Sequence, residues 1–574
     1  MGPGDCLLAL SEGSLKAETA LNQARAELDQ EHASAEWAVV ASAALWMLKR
    51  FQEGYELHRS FSSHLQNDGN AWLIAGLCAR KLANHHQEAE QALLRATSLL
   101  PERSDAHYNL GNHYSDLDQY DKAVLAYERS LALDANGAQV WHNYGIALRE
   151  RDRLDEAEMA LQNSLQLDPC NADVWCNFGL IAHAREHFDL AKRCYLQSIQ
   201  VDQHHAEGWV NVGMALLEEL KPEEALEALQ RGSALDPSSP EAVFNMALTL
   251  LLLGDYDEGW RLYETRFTTK QFSGKQPPCS GPWVLTMEQL QALAREQRRC
   301  LVWTEQGLGD VIQFLRYLPI LQALGVSFVF ATRRTLIPLV QEWGPPGLTV
   351  CDDTALDEDL KTAPHLALLS LPRLLRTTLS TIPSATPYLR PPGPPPAQLL
   401  VPAPPGGIAV GLVWASNPGN KAMYRQKSLP LKLLLPRLLP ALSNDLIELH
   451  SLQVGSDADE LAPYQHLEGL VDWNGRLDHF GDTAHVVSQL DLVISVDTAV
   501  AHLAAALDLP TWVLLPNNAD FRWLRDRSDS PWYSSMRLFR QPKRHDWSSA
   551  IDGVVDALGE VLGLDLNALA QEVR

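Results

Sequence analysis

The sequence predicts an α-helical solenoid followed by an α/β region of two lobes, each with a parallel sheet. An asparagine returns every 34 residues and is followed two residues later by Gly or Ala; these are Asn109, Asn143, Asn177, Asn211 and Asn245. A period of this length marks stacked helical hairpins. After Phe267 the period stops and short apolar runs alternate with helical segments. Such alternation is typical of α/β layer structures.

The repeats carry one small side chain on each of two successive helices. Glycines at one position are followed twelve residues later by alanines, and two helices approach closely only where side chains are this small. Larger residues at the same period are expected to fill the space between hairpins. The positions are Gly111, Gly145, Gly179 and Gly213, then Ala123, Ala157, Ala191 and Ala225, and finally Tyr127, Leu161, Tyr195, Leu229 and Tyr263.

The best-preserved repeat reads W-H-N-Y-G-I-A-L at 141–148 with D-E-A at 155–157, and it resembles the tetratricopeptide repeat. Less regular matches extend the array towards the N-terminus, so we expect six full hairpins over residues 36–269. Residues 5–30 are predicted to form one amphipathic helix, and we assign residues 1–35 to an N-terminal cap. A cap is expected because no hairpin of this kind buries its apolar face alone.

Composition restricts the location and the partners of the protein. Its formal charge of −25 argues against a nucleic-acid partner, which needs a basic surface. The eight cysteines form no C-x-x-C pair, as is typical of reduced thiols in a cytoplasmic protein. No uncharged apolar stretch reaches the roughly 18 residues of a membrane span. The first residues lack the regions of a signal peptide, so we expect a cytoplasmic location.

The second half of the chain is predicted to contain a connector and two lobes. We assign residues 270–298 to the connector, 299–390 to an N-terminal lobe, 391–407 to a proline-rich linker and 408–574 to a C-terminal lobe. Proline at the density of the linker favours an extended spacer. Ligands usually bind in clefts between lobes, at the carboxyl ends of strands. The predicted strands are 299–304, 326–331, 366–370, 408–414, 446–452, 492–496 and 511–515.

The turn after the first predicted strand reads T-E-Q-G-L-G-D at 304–310, and Asp310 opens the following helix. Its two glycines allow a tight turn and leave space for a ligand. However, Asp310 is also a good helix cap, and a carboxylate near a helix start is favourable without a catalytic role. The motif lacks the full G-x-G-x-x-G spacing, so it does not indicate a dinucleotide site.

A second turn follows the strand at 492–496 and carries Asp497 and Thr498. A helix that begins at Thr498 directs its free amides and its positive dipole end at any anion in the cleft. Asp497 either caps this helix or accepts hydrogen bonds from ligand hydroxyls. His502 lies one helical turn beyond Thr498 and faces the same side. The alternative for His502 is a buried histidine that packs under the sheet.

A third loop, at 414–430, concentrates cations in an otherwise acidic protein. Lys421, Arg425 and Lys427 lie there, and Ser428 follows them directly. Lysine and arginine beside hydroxyl donors can form a diphosphate clamp. The alternative is a solvated cluster of loop charges.

Together, G-D-V at 309–311 and S-V-D-T-A-V-A-H-L-A-A-A-L at 495–507 resemble the ADP-heptose lipopolysaccharide heptosyltransferases, which have the two-lobed GT-B fold. The resemblance implies transfer from a nucleotide-sugar co-substrate without a metal or other cofactor. It implies that Asp310 is the general base and that Asp497, Thr498 and His502 contact the donor. Lys427 and Ser428 match the family's phosphate-binding positions, whereas Ala499 replaces the glycine that is common after D-T.

The repeat asparagines are candidates for a peptide-binding groove. They lie on the first helix of each hairpin, and an asparagine side chain offers both a donor and an acceptor to a peptide backbone. This arrangement resembles the O-linked N-acetylglucosamine transferase, so we expect a polypeptide acceptor. The asparagines can instead bond to the neighbouring hairpin. Two other functions stay open: a transferase that extends a glycan or lipid-linked sugar, and a non-catalytic scaffold with a degenerate transferase domain.

Overall fold

The computed structural model describes residues 1–30, 34–272, 274–344, 347–402, 406–566 and 568–569. The chain divides into two compact units, Met1–Val212 and Gly213–Arg574. The division falls inside a repeat helix, so the second unit contains the last repeat helices as well as the parallel sheets. Within the described ranges, no helix combines the length and the apolar character needed to cross a membrane.

The N-terminal unit consists of consecutive helices that pack as antiparallel pairs. Their bounds are α1 Pro3–Ser11, α2 Ala17–Leu28, α3 Glu36–Met47, α4 Phe51–Phe61, α5 Gly69–Arg80, α6 His86–Leu99, α7 Ser104–Asp116, α8 Tyr120–Leu133, α9 Ala138–Glu150, α10 Leu154–Leu167, α11 Ala172–Ala184 and α12 Phe188–Val201, and α13 (Ala206–Glu218) runs across the division.

The N-terminal cap consists of two helices, so the prediction of one helix over residues 5–30 is wrong. Gly13 adopts a φ of +73° and separates α1 from α2. Both helices share a small apolar core with α3, in which Leu10 and Leu21 lie beside Trp37. Residues 31–33 of the predicted cap lie outside the described residues.

The repeat helices of the described residues form seven hairpins, one more than predicted, because the irregular first repeat forms both of its helices. Within a hairpin, glycine faces a large side chain. A Cβ at Gly111 would lie 2.5 Å from the ring of Tyr127, and one at Gly145 would lie 2.7 Å from Leu161. The recurring large residues therefore pack inside their own hairpins, which corrects the expectation that they lie between hairpins.

The C-terminal unit continues the repeats and then forms two sheets. Its elements are α14 Pro222–Leu235, α15 Pro240–Leu253, α16 Tyr256–Tyr263, α17 Met287–Arg295, β1 Cys300–Trp303, α18 Leu308–Phe314, α19 Leu318–Ala323, β2 Phe328–Thr332, α20 Ile337–Trp343, β3 Thr349–Asp352, β4 His365–Ala367, α21 Leu371–Leu374, β5 Ile408–Val413, α22 Lys421–Lys427, α23 Leu431–Leu442, β6 Ile447–Ser451, β7 Leu470–Asp472, α24 Phe480–Val487, β8 Leu492–Val496, α25 Ala499–Ala506, β9 Thr511–Leu515, β10 Met536–Arg540 and α26 Trp547–Leu562.

Both sheets are parallel, as predicted. The first has four strands in the order β3-β2-β1-β4, and the second has six in the order β10-β9-β8-β5-β6-β7. All seven predicted strands are present, although the third ends at Ala367 and continues as a 3-10 turn. Three further strands, β3, β7 and β10, were not predicted, and all three form edges of the two sheets. The first two are short and only partly buried, so they lack a continuous apolar run.

One apolar core connects the last repeat hairpin, the first sheet and the segment that precedes β10. The ring of Trp260 in α16 lies 5.8 Å from Phe314 and 5.6 Å from Phe521, and Phe314 lies 5.5 Å from Trp532. This core extends across residue 269, where the sequence analysis placed the end of the solenoid. Residue 269 thus marks the end of the repeat period, whereas α15 and α16 pack with the sheets.

The described part of the predicted linker, residues 391–402 and 406–407, has one 3-10 turn, Ala397–Leu399. Leu399 is buried and packs with Val486 and Val487 of α24. Residues 403–405 lie outside the described residues. The described segment thus joins the two sheets and also contributes to the core of the second one.

Candidate active site

The helices that follow β1 and β8 start next to each other. A Cβ at Gly309 in α18 would lie 3.0 Å from the His502 ring and 3.4 Å from Cα of Ala499 in α25. Glycine at this position therefore permits the close approach of the two helices. As a result, the turns that carry Asp310 and Asp497 share one edge of the C-terminal unit.

Asp310 occupies the third position of α18 and has both of its oxygens engaged. The backbone N–H of Gly307 donates to Oδ2 at 2.9 Å, which is the helix-capping role expected from the sequence. Oδ1 accepts a hydrogen bond from Nη2 of Arg522. The side chain is nevertheless 23% exposed, so Asp310 retains contact with solvent.

Arg522, which the sequence analysis did not select, holds this arrangement together. Its Nε donates to Oε1 of Gln313 at 2.8 Å, and its Nη1 donates to Asp520 at 2.6 Å. Burial disfavours the charged form of Arg522, but Asp310 and Asp520 outweigh burial and raise its pKa above the usual value. The only sequence signal was the richness of residues 517–541 in arginine and tryptophan.

Asp497 directly follows β8 and is enclosed by two basic side chains. Its Oδ2 lies 2.6 Å from Nζ of Lys427 and its Oδ1 lies 3.7 Å from Nε2 of His502. Burial by itself would raise the pKa of Asp497, but Lys427 and His502 outweigh burial, so the pKa lies below its usual range. In the described ranges, no group of three or more His, Cys, Asp or Glu side chains could hold a metal ion.

His502 lies beneath the turn and has partners on both sides of its ring. Its side chain is only 4% exposed, and Nδ1 lies 3.0 Å from the hydroxyl of Tyr533. The ring stacks on Trp523, with centroids 5.4 Å apart. This geometry agrees with the alternative of a buried histidine that packs under the sheet. Contact of His502 with a donor stays a prediction.

Thr498 and Ser428 place hydroxyl groups near the ion pair of Asp497 and Lys427. Thr498 is the N-cap residue of α25, but its side chain forms no capping bond; Oγ1 lies 3.1 Å from Oγ of Ser495. Ser428 accepts a hydrogen bond from the backbone of Ser416 at 2.9 Å. Both side chains are half-buried, so the hydroxyl groups lie near the surface of the site.

The predicted basic loop contains the short helix α22, and its basic side chains lie in different environments. Lys427 turns inward to Asp497, whereas Lys421 and Arg425 are exposed. Arg425 lines a groove at the carboxyl ends of β9 and β10. Gln426, next to Lys427, donates to Oδ1 of Asn518 at 2.8 Å and ties α22 to the loop after β9. The groove therefore adjoins the ion pair.

Three of the five repeat asparagines bond to the preceding hairpin. Asn109 instead donates to a backbone carbonyl of its own helix at 2.8 Å, and Asn245 is half-buried. These contacts agree with the alternative of a bond to the neighbouring hairpin, and peptide binding by the asparagines stays a prediction. The three bonds run from Asn143 to Asn112 at 2.8 Å, from Asn177 to His142 at 3.1 Å and from Asn211 to Cys176 at 3.0 Å.

Models of two kinds of domain match segments of the chain. Residues 104–136, 172–205 and 212–264 match models of the tetratricopeptide repeat. Residues 455–519, which include Asp497, Thr498 and His502, match the model of glycosyltransferase family 9 (heptosyltransferase). The chain joins tetratricopeptide repeats to a glycosyltransferase family 9 domain. The match supports glycosyltransferase activity in general terms, and Asp310, Lys427 and Arg522 lie outside the matched range.

A curated relative resembles the chain over part of its length. Protein FlbA of Caulobacter vibrioides is 29% identical over 355 residues, which cover 56% of this chain and 56% of the relative. The chain thus spans little more than half of that protein.

Similar solved structures include PilF of Pseudomonas aeruginosa. The match to PilF has 22% sequence identity and a TM-score of 0.31, and it covers 36% of this chain and 97% of that chain. MamA gives 20% identity over 28% of this chain and 94% of its own, with a TM-score of 0.26. The APC/C hetero-tetramer Cut9–Hcn1 gives 15% identity over 44% and 49%, with a TM-score of 0.36.

Proposed function

We propose that the C-terminal unit transfers a sugar from a nucleotide-sugar donor to an acceptor hydroxyl, with Asp310 as the general base. The observation that carries this proposal is the contact of Gly309 with His502 and Ala499. It brings a partly exposed carboxylate beside a second turn that offers helix amides, a hydroxyl and a lysine. These are the groups that a base-assisted displacement of a nucleoside phosphate requires.

Asp310 suits the role of base because it is accessible and held in place. A sugar or protein hydroxyl is a weak nucleophile until a base within hydrogen-bonding reach takes its proton. Gly307 and Arg522 hold the two carboxylate oxygens in position. In the proposed step the acceptor oxygen bonds to the anomeric carbon, the bond from that carbon to phosphate breaks, and the proton passes to Asp310. A single displacement of this kind inverts the anomeric centre.

The leaving group is proposed to bind at the turn after β8. A departing nucleoside phosphate gains negative charge, and fixed donors that meet this charge lower the barrier. The first amides of α25 point away from the helix body and carry its positive dipole end. Thr498 adds a hydroxyl and Arg425 adds an exposed positive charge on one side, where Lys427 lies paired with Asp497. The proposal assigns charge stabilisation to these protein groups.

We further propose that the acceptor is a polypeptide captured by the repeats. Tetratricopeptide repeats suggest interaction with proteins, and the chain carries them next to its transferase domain. The last hairpin shares one core with the first sheet, which supports a joint role for the repeats and the transferase domain. Extension of a glycan or lipid-linked sugar is the competing outcome of the test.

To test the proposal, the full chain is incubated with a panel of nucleotide sugars, and release of the nucleoside phosphate is measured. Proteins that bind the full chain in a pull-down serve as acceptors, and intact mass spectrometry reads their modification. We expect release with one donor and a mass increase of one sugar on a retained protein. Asp359→Asn, which changes an exposed acid of the same lobe, serves as the control and should stay active. Absence of release with every donor would contradict the proposal, and modification of glycans alone would contradict the polypeptide acceptor.

A further inference from the structure

The groove at the carboxyl ends of β9 and β10 is rich in hydrogen-bond donors. Its lining includes Arg425, Gln426, Asn517, Asn518 and Arg544. Guanidinium and amide groups on one surface of a chain with a formal charge of −25 favour an anionic, hydrogen-bonding ligand.

A carboxylate of the repeat part contacts two of the residues that line this groove. Glu218, the last residue of α13, accepts a hydrogen bond from Nδ2 of Asn518 at 2.6 Å and lies 3.0 Å from Nη2 of Arg544. Its side chain is only 21% exposed. Burial raises the pKa of Glu218, and Arg544 offsets only part of this rise. The carboxylate therefore occupies donors that would serve a phosphate equally well.

We propose that this groove binds the phosphate-bearing part of the donor and that Glu218 is an internal anion that competes for it. The inference rests on the proposed function and adds a means of regulation to it. A phosphate and a carboxylate repel each other at short range, so donor binding requires Glu218 to release Asn518 and Arg544. By linkage, a partner that draws Glu218 away from Asn518 and Arg544 raises the affinity for the donor, and donor binding raises the affinity for that partner by the same factor.

The same hairpin supplies a matched control. Glu223 in α14 lies 3.0 Å from Nη1 of Arg525, so it also ties the hairpin to the loop after β9, but neither residue lines the groove. Neutralising Glu223 loosens the hairpin but leaves the charges beside the groove unchanged. Neutralising Glu218 loosens the hairpin and also removes the negative charge beside Asn518 and Arg544, while the amide that replaces it can still accept from Asn518.

The test uses the full chain as wild type, Glu218→Gln and Glu223→Gln, with thermal melts to verify folding. Inorganic pyrophosphate and a series of nucleoside mono- and diphosphates are titrated by calorimetry at low salt. Removal of one negative charge beside the bound phosphate should tighten phosphate binding by about fivefold or more in Glu218→Gln. Glu223→Gln should stay within about twofold of wild type, because it leaves the lining unchanged. The double variant Glu218→Gln/Arg544→Gln should lose the gain.

Unchanged or weaker binding in Glu218→Gln overturns the proposal, as does an equal gain in Glu223→Gln. Failure of every phosphate to bind either wild type or Glu218→Gln overturns it as well. These outcomes differ from failure of the proposed function, because binding is measured without turnover. Tight phosphate binding in Glu218→Gln without sugar transfer from any donor would retain the anion groove and remove the transferase reaction.

Discussion

The turn after β1 and the turn after β8 are built alike, yet they hold their carboxylates under opposite conditions. In each turn an aspartate follows a buried parallel strand and stands at the start of a short helix. Asp310 is 23% exposed, whereas Asp497 is 7% exposed and lies between Lys427 and His502. The comparison shows that an acidic residue at a helix start does not define its own role. Burial and contacts with residues distant in sequence distinguish Asp310, the candidate base, from Asp497, which we call the anchor because it holds Lys427 in place.

Asp310→Asn tests the candidate base and should have the largest effect. The substitution keeps the shape of the side chain and can keep the bond from Gly307, but it removes both the group that accepts the proton and the charge that pairs with Arg522. We expect kcat to fall by about 10²- to 10⁴-fold, the usual contribution of general base catalysis. Donor binding measured by calorimetry should change by less than about threefold. Loss of activity below tenfold would show that Asp310 is not the base.

Asp497→Asn tests the anchor and should reduce stability as well as activity. It leaves Lys427 without its charged partner in a largely buried position, which typically costs about 3–5 kcal/mol. The loss should be visible in thermal melts, together with weak donor binding. If melting and donor binding both match wild type, Asp497 is not an anchor.

The pH dependence of that stability difference has a definite sign. The pKa of Asp497 is lower in the folded protein than its ordinary value of about 3.9. Its stabilising contribution is therefore complete above about pH 4 and is lost as the pH falls through the folded value. The gap in Tm between wild type and Asp497→Asn should stay constant from pH 7 to about pH 5 and narrow below about pH 4. A gap that instead widens in acid would contradict the ion pair.

Arg522→Gln tests the contact between the turn after β1 and the loop after β9, and it should have an intermediate effect. Without the guanidinium, Asp310 and Gln313 lose their common partner, so the base is held less firmly. We expect kcat to fall by about tenfold to hundredfold with KM little changed, because positioning errors act on the chemical step. Arg522→Lys should restore part of kcat, and Arg525→Gln serves as the control. An equal effect of Arg522→Gln in the Asp310→Asn background would show that Arg522 acts through another group.

Thr498→Ala should have the smallest effect of the set. The hydroxyl forms no capping bond, so the Tm of the variant should match wild type. Loss of one hydrogen bond to the donor should raise the donor KM by about fivefold. Thr498→Ser, which retains the hydroxyl, should behave like wild type. Equal kinetics in Thr498→Ala would remove Thr498 from the donor site.

Features that repeat or lie close together in sequence were predictable. The asparagine period predicted the hairpins because each hairpin is a local unit. The Asp497–Thr498 turn could be predicted because its strand, turn and helix follow one another directly in the sequence. The bond from Arg522 to Asp310 joins residues 212 positions apart, so no local pattern contains it. The contact of Glu218 with Asn518 spans 300 positions and was missed for the same reason.

Local exceptions were also missed. The break at Gly13 depends on one backbone angle within an otherwise helical pattern. The edge strands β3 and β7 are short and partly exposed, so they carry no strong apolar signal. Catalysis by Asp310, donor contacts and peptide capture stay predictions, because they concern ligands rather than the fold.

The aromatic core around Trp260 and the buried pair of Arg266 with Glu305 constrain how this protein can evolve or be re-engineered. The first repeat residue of that core is Phe244, so insertion, deletion or exchange of hairpins before Gly213 should leave the core intact. A chimaera that replaced every residue before 270 would lose Trp260 and Arg266 and would expose Phe314, which packs against Trp260. The last hairpin therefore belongs structurally to the α/β region, whereas earlier hairpins can vary without disturbing this core.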